Sequence, residues 1–235
     1  TPVKNLEDEY AGNVFSDIPN PMGKLHRNKD NKDKKSRLVG NLYAELHLFD
    51  GFMFKTSFGA DYNNLYRRSF SPKYDEINAS EKLSGLSNRN AWNFNWVFTN
   101  TLNYTKTFGD HTINALLGLE SLRNRYEYFT ASRDGFPSDD PNFHFLDAGD
   151  VGTQKNSGSA TEYSMVSYFG KIDYNYHDRY LVAFTLRRDG SSRLGNNKWG
   201  NFPAASVGWR ISNEPFFDVE AINNLKLRVG WGQIT

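Results

Sequence analysis

The chain has 235 residues, enough for one large domain or two small ones. Its 28 Lys+Arg balance 27 Asp+Glu at a net charge of +1, which leaves no electrostatic basis for a nucleic-acid partner. Cysteine is absent, so a disulfide framework, a zinc knuckle and a thiol nucleophile are all excluded.

Residues 1–37 are polar and irregular. They carry the mixed-charge run NPMGKLHRNKDNKDKKSR, which reads as a solvated loop. From Leu38 the pattern turns to period two. Leu42, Ala44, Leu46 and Leu48 share one face, with Asn41, Tyr43, Glu45 and His47 on the other. Asp50-Gly51, a strong hairpin signal, leads into Phe52, Phe54, Phe58 and Tyr62 opposite Lys55, Ser57, Gly59 and Asp61.

A long polar stretch from 65 to 91 precedes a second hairpin. Its first strand bears Trp96, Phe98, Leu102 and Tyr104, and its turn is Phe108-Gly109-Asp110-His111. The return strand sets Ile113, Ala115, Leu117 and Leu119 against Asn114, Gly118 and Glu120. After a loop from 130 to 162, a third hairpin carries Tyr168, Gly170, Ile172, Tyr174 and Tyr176. It turns at His177-Asp178-Arg179 and continues through Tyr180, Val182, Phe184 and Leu186. The loop from 189 to 200 leads to Ala205, Val207, Trp209 and Ile211. A short connection with Pro215 then gives way to Leu225, Leu227, Val229 and Trp231.

Tight turns therefore alternate with long loops, as in an outer-membrane barrel whose periplasmic turns are short and extracellular loops long. Phe49, Phe52, Tyr104, Phe108, Tyr176 and Tyr180 sit beside the tight turns, where an interfacial aromatic girdle is expected. The aromatic fraction of 15% with a mean hydropathy of -0.69 fits strands with one face in lipid and one in water. It fits a soluble lectin-like sandwich too. The two readings differ at Leu42, Leu46, Leu117 and Val182: a sandwich buries them against a second sheet, and a barrel leaves them open to lipid. No stretch approaches the ~20 apolar residues of a membrane helix. The N-terminal TPVKNLEDEY is not a signal peptide, so either one has been removed or the chain begins within something larger.

The stretch from Ser167 onward carries more than a pattern. Arg187-Arg188-Asp189-Gly190-Ser191-Ser192-Arg193, Phe202-Pro203 with Gly208-Trp209-Arg210, and Leu225-Lys226-Leu227-Arg228 resemble the barrel of SusC/RagA-type TonB-linked outer-membrane transporters. Gly40-Asn41-Leu42-Tyr43-Ala44-Glu45 and Asn114-Ala115-Leu116-Leu117-Gly118 are similar to that family more loosely. The resemblance implies an all-β fold: an antiparallel transmembrane β-barrel segment of about eight strands within a barrel of roughly 22. Residues 1–235 are then expected to be part of one barrel domain, with 1–37 an extracellular loop and the plug and remaining strands outside the chain. It further implies import of oligosaccharides or peptides across the bacterial outer membrane, with a SusD-like surface lipoprotein as partner. Energy is expected from TonB, acting on segments beyond this chain. A complete small barrel of structural or adhesin type is the remaining membrane alternative.

No catalytic, cofactor or metal residues emerge, and the chain does not read as an enzyme. His26, His47, His111, His144 and His177 lack ligand spacing. The run Asn28, Asp30, Asn31, Asp33 lacks the glycine and bidentate glutamate of a calcium loop, and Asp139-Asp140-Pro141 reads as a turn. Glu45, Glu120 and Asp173 lie on the polar faces of different strands, and paired-carboxylate chemistry needs two acids in one cleft. Arg187, Arg188, Asp189 and Arg193 are expected to stabilise their loop more than to bind ligand. Tyr66, Phe70, Tyr74, Phe136, Phe143 and Phe145 are candidates either for stacking on sugars or for packing the loops.

Overall fold

A computed structural model describes residue 10, residues 18–76 and residues 79–234. Helix α1 (Pro21–Arg27) is followed by β1 (Lys32–Phe49), β2 (Phe52–Ser71), β3 (Tyr74–Glu76), β4 (Ala79–Glu81), β5 (Gly85–Phe108) and β6 (His111–Asp134). The chain continues with β7 (Lys155–Tyr176), β8 (Tyr180–Ser191), β9 (Trp199–Arg210) and β10 (Lys226–Gly232). Eight strands form one sheet in the order β1-β2-β5-β6-β7-β8-β9-β10, and β3 pairs with β4 as a separate hairpin. Sequence neighbours are thus sheet neighbours, antiparallel throughout β7–β10. The expected number of strands and their up-and-down order are found.

Chain contacts divide the molecule into two units. One holds the described residues up to 38 with 62–93 and 126–161; the other holds 39–61, 94–125 and the residues from 162 onward.

In the second unit the tight turns have the predicted chemistry. Gly51 and Gly109 adopt φ of 81° and 59°, and His177 and Asp178 adopt 52° and 54°. Two consecutive left-handed residues suit the twist of a hairpin, and Asp tolerates that conformation better than most side chains. Gly51 has a second constraint. Its carbonyl accepts from the Thr105 amide at 2.8 Å, and a Cβ there would lie 2.4 Å from the Thr105 carbonyl oxygen. Gly51→Val should therefore cost about 2 kcal/mol through left-handed strain, with the backbone collision adding to it. A drop in thermal stability of the full-length protein checks it, with Gly109→Ala, which meets nothing within 4 Å, as the milder comparison.

The aromatic residues beside these turns meet as expected. Phe52 lies 4.4 Å from Tyr104 and 6.3 Å from Phe49, while His111 lies 5.2 Å from Phe108 and 4.8 Å from Tyr176. The apolar face between turns and loops is open. Leu42 is 78%, Leu46 52%, Leu117 65% and Val182 46% exposed, so no second sheet among the described residues covers them, against the sandwich reading.

The first unit holds a small core of Phe70, Leu86 and Phe136, with Leu146 and Ala148 packed against it. Three single-turn helices, Pro141–Phe143, Leu146–Ala148 and Val151–Thr153, build the connection over this core. Here the strands outrun their sequence signal. β1 begins at Lys32, β2 runs to Ser71, β5 starts at Gly85, and β6 and β7 flank a connection of only 135–154. The expectation that 1–37 is all loop is corrected for 21–27 and 32–37, while 1–9 and 11–17 lie outside the described residues. The reason is long-range pairing of polar groups. Asn20 caps α1 through the Met22 and Gly23 amides, and buried Glu76 accepts from Arg27 Nη1 at 2.6 Å. Asp33 takes a two-pronged bond from Arg67 at 2.8 and 2.7 Å, which ties the start of β1 to β2.

Candidate functional site

Two groupings of side chains stand out, one in each unit. In the second unit, strand alternation puts Thr99, Glu120, Ser167, Phe169, Arg187 and Asp189 on the face opposite the apolar one, and they meet there. Arg187 is the hub. Its Nε donates to both carboxylate oxygens of Asp189 at 2.8 and 3.0 Å, and its Nη2 donates to Ser167 Oγ at 2.9 Å. The same nitrogen lies 3.4 Å from Glu120 Oε1, while Thr99 Oγ1 donates to Glu120 Oε2 at 3.2 Å. The guanidinium lies 5.5 Å from the Phe169 ring centre, and that ring lies flat against Gly118, where any Cβ would come within 2.2 Å of it.

This cluster spans four neighbouring strands, β5 to β8, and fixes side chains from all of them. Arg187 and Asp189 thus tie strands of the wall together from within β8, where the expectation was that they stabilise their loop. Arg188 and Gly190 face the other way. Arg188 lies 5.0 Å over the Trp199 ring, and Gly190 makes room for that same ring, whose atoms would sit 2.8 Å from a Cβ. Beyond the strand, Arg193 rests 3.9 Å over Tyr163. One sequence run therefore serves two faces.

The remaining carboxylates do not converge. Glu45 on β1 pairs with Lys55 on β2 at 2.8 Å, and Asp173 pairs with Lys171 along β7 at 2.8 Å. Among the described residues no three metal-type side chains come together. The calcium-like run is used internally: Asn31 accepts from the Phe70 amide at 2.6 Å, and Asn28 accepts from Asn31 at 2.9 Å. Asp140 accepts from the Asn142 amide at 2.9 Å, which makes 139–141 the expected turn.

In the first unit a cavity of about 300 Å³ is lined by Lys32, Lys34, Tyr66, Arg68, Phe70 and His144, with Asp30 at its margin. Its two walls are β-strand and loop. Arg68 donates to the His144 carbonyl, and the His144 ring stacks on Phe70 at 3.5 Å. The loop aromatics divide by exposure. Phe70 and Phe136 are core, and Tyr74 lies under the Arg27 guanidinium, whereas Phe143 and Phe145 are open to solvent and Tyr66 lines the cavity. Only this last group presents ring faces that a sugar or peptide could meet. Sequence could not sort the six, because the sorting depends on which rings the 135–154 connection covers.

Burial, reinforced by the Arg68 charge, holds the His144 imidazole below its ordinary value, against the opposing pull of Asp139 and Asp140. Between that lowered value and the ordinary one near 6.5, the unfolded loop binds a proton that the folded loop does not. The stabilising contribution is therefore complete above pH 6.5 and is lost as pH falls through that window. Hydrogen-exchange protection of residues 135–154 should weaken on acidification from pH 7 to 5. His144→Phe, which keeps the stacked ring, should flatten that part of the dependence.

The same chain pattern recurs in known proteins. No protein-family model matches the chain. A TonB-dependent receptor of Formosa agariphila is 32% identical over 229 residues, covering 96% of this chain and 21% of that receptor. TonB-dependent receptor SusC of Bacteroides thetaiotaomicron is 29% identical over 99% of this chain and 22% of its own length. Among solved structures, the RagAB peptide transporter superposes with a TM-score of 0.81 at 22% identity, over 97% of this chain and 26% of that one. Its open-open state gives 0.82 over 92%. The chain thus spans between a fifth and a quarter of the length of its relatives. The structural likenesses carry the fold, an antiparallel transmembrane β-barrel wall.

Proposed function

From its kinship with the SusC/RagA-type TonB-dependent receptors, to which this chain belongs through their β-barrel, we infer that it forms wall and mouth of an outer-membrane importer. The observation that carries the reading is the open apolar band. It runs between the aromatic cluster of Phe108, His111 and Tyr176 at the tight turns and the Tyr168–Trp199 pair nearer the long loops. On β8 it extends from Tyr180 to Arg188, nine residues, which matches the ~9–11 residues of a tilted membrane strand.

In this reading the tight turns face the periplasm and the long connections face outward. Residues 1–235 belong to one barrel, and further strands pair with β1 and β10, the edge strands of the sheet. Cargo is an oligosaccharide or a peptide, met first by exposed loop rings such as Phe143 and Phe145. A SusD-like surface lipoprotein covers the mouth, and TonB supplies energy through segments outside this chain. The role of these residues is to enclose, orient and admit; no bond-making step is assigned to them.

Purification of the full-length protein from outer membranes in mild detergent tests this. A surface lipoprotein should co-purify in equal amount, and disruption of the gene should abolish growth on a polymeric nutrient while growth on its monomers persists. Recovery of the protein from the inner membrane or the soluble fraction would overturn the reading.

A further inference from the structure

The lipid-facing side is interrupted at Gly170. Gly170 sits mid-strand on β7 between larger neighbours and lines an open trough of about 680 Å³. Leu117, Ile172, Phe184 and Leu186 wall it, all of them exposed, and Leu117 Cδ2 would lie 3.3 Å from a Cβ at Gly170. Arg188 closes the end nearer the long loops, paired across the ladder with Tyr168. Tyr168 stacks on Trp199 at 6.0 Å, and the guanidinium lies 5.0 Å from that indole.

The nearby cations on this face are already engaged, since Arg123 and Arg125 share Glu162 at 2.8 and 3.7 Å. Among the described residues Arg188 makes no ion pair, although it stands where the apolar band ends. A guanidinium placed over an indole keeps its donors for an oxyanion, and a phosphate suits their fork. An apolar trough in the membrane band, closed by a cation at headgroup depth, has the shape and charge of one occupant.

We propose that the Gly170 trough and Arg188 together bind a phosphorylated acyl lipid of the leaflet at the long-loop end, with an acyl chain in the trough and a phosphate on the guanidinium. The proposal rests on the lipid-facing assignment of this side and not on the import reading, so each can fail alone. It assigns Gly170 and Arg188 a joint task.

Native mass spectrometry of the full-length protein in mild detergent tests it, with bisphosphorylated lipid A and its dephosphorylated form as probes. The wild type should retain the phosphorylated form at least tenfold better. Arg188→Ala should erase that preference, and Arg188→Lys should keep part of it. Gly170→Leu, which fills the trough on an open face, should lower retention of both forms. The resistance of the unheated barrel to SDS reports correct folding of each variant. Equal retention of both forms by the wild type, or unchanged retention in Gly170→Leu, overturns the proposal. So does competition by inorganic phosphate alone, which would mark a plain anion site.

Discussion

Ile172→Arg in β7 is expected to remove about 2–4 kcal/mol of barrel stability in a bilayer, the largest effect available to a single change on the lipid face. Ile172 pairs with Phe184, and both are open to the apolar side. They lie midway between the Tyr176–Tyr180 pair at the tight turn and the Tyr168–Arg188 pair at the far boundary, so the new charge sits at the depth where desolvation is greatest. The cost should fall with depth. Tyr180→Arg, at the turn, should cost only about 0–1 kcal/mol, because the guanidinium reaches headgroups and water there. Asp173→Asn, one residue away on the lumenal face, loses only a pairing with Lys171 and should change stability by less than about 1 kcal/mol. Urea titration of the full-length protein refolded into vesicles measures all three. A flat profile, with the same cost at Ile172 and Tyr180, would falsify the lipid assignment.

The reading of strands succeeded where each face has a distinct solvent, and it failed beyond that zone. Between Leu42 and Phe58 or between Tyr168 and Leu186, lipid on one side and water on the other force a two-residue period that anyone can count. Past the aromatic pairs, Lys32 to Arg37 and Ser87 to Asn90 lose the period and resemble loops, although the ladder continues through them. What holds these extensions is the bond between Arg67 and Asp33, or between Asn64 and Asn90, and such partners are tens of residues apart in the chain. The lumenal cluster was half legible for the same reason. Alternation assigns Arg187 and Arg188 to opposite faces once the strand is granted. That Arg187 reaches Ser167 and Glu120 depends on the register of β6, β7 and β8, which no local motif encodes. The split of the loop aromatics into core and exposed rings is a property of the 135–154 connection as folded, and residue type alone is silent on it.

Leu86→Ala should open that connection without releasing the barrel. Leu86 is 1% exposed and packs with Phe70 and Phe136, so truncation removes buried methyl groups and leaves a void. Phe70 and Leu86 lie on the paired strands β2 and β5 and Phe136 in the 135–154 connection, and such truncations cost about 2–5 kcal/mol. The loss falls on the connection because its own anchoring is local. The Gly135 amide donates to the Ser84 carbonyl at 2.7 Å, Phe136 and Ser84 exchange two bonds at 3.0 and 3.1 Å, and Thr153 Oγ1 accepts from the Asp134 amide at 2.8 Å. These bonds form a closed set at the mouth of the connection, and the apolar cluster is what excludes water from them. Amide exchange across 135–154 should therefore quicken about 30-fold or more, the lower end of that free-energy range, while amides in the tight-turn half of β7 and β8 keep their protection. Leu86→Met, which conserves volume, should cost less than about 1.5 kcal/mol. If exchange instead rose uniformly along β7 and β8, the connection and the wall would form one cooperative unit, and loop changes could not be made without weakening the barrel. The predicted separation is what the proposed cargo-binding mouth requires: a connection that can open while the strands beneath it hold.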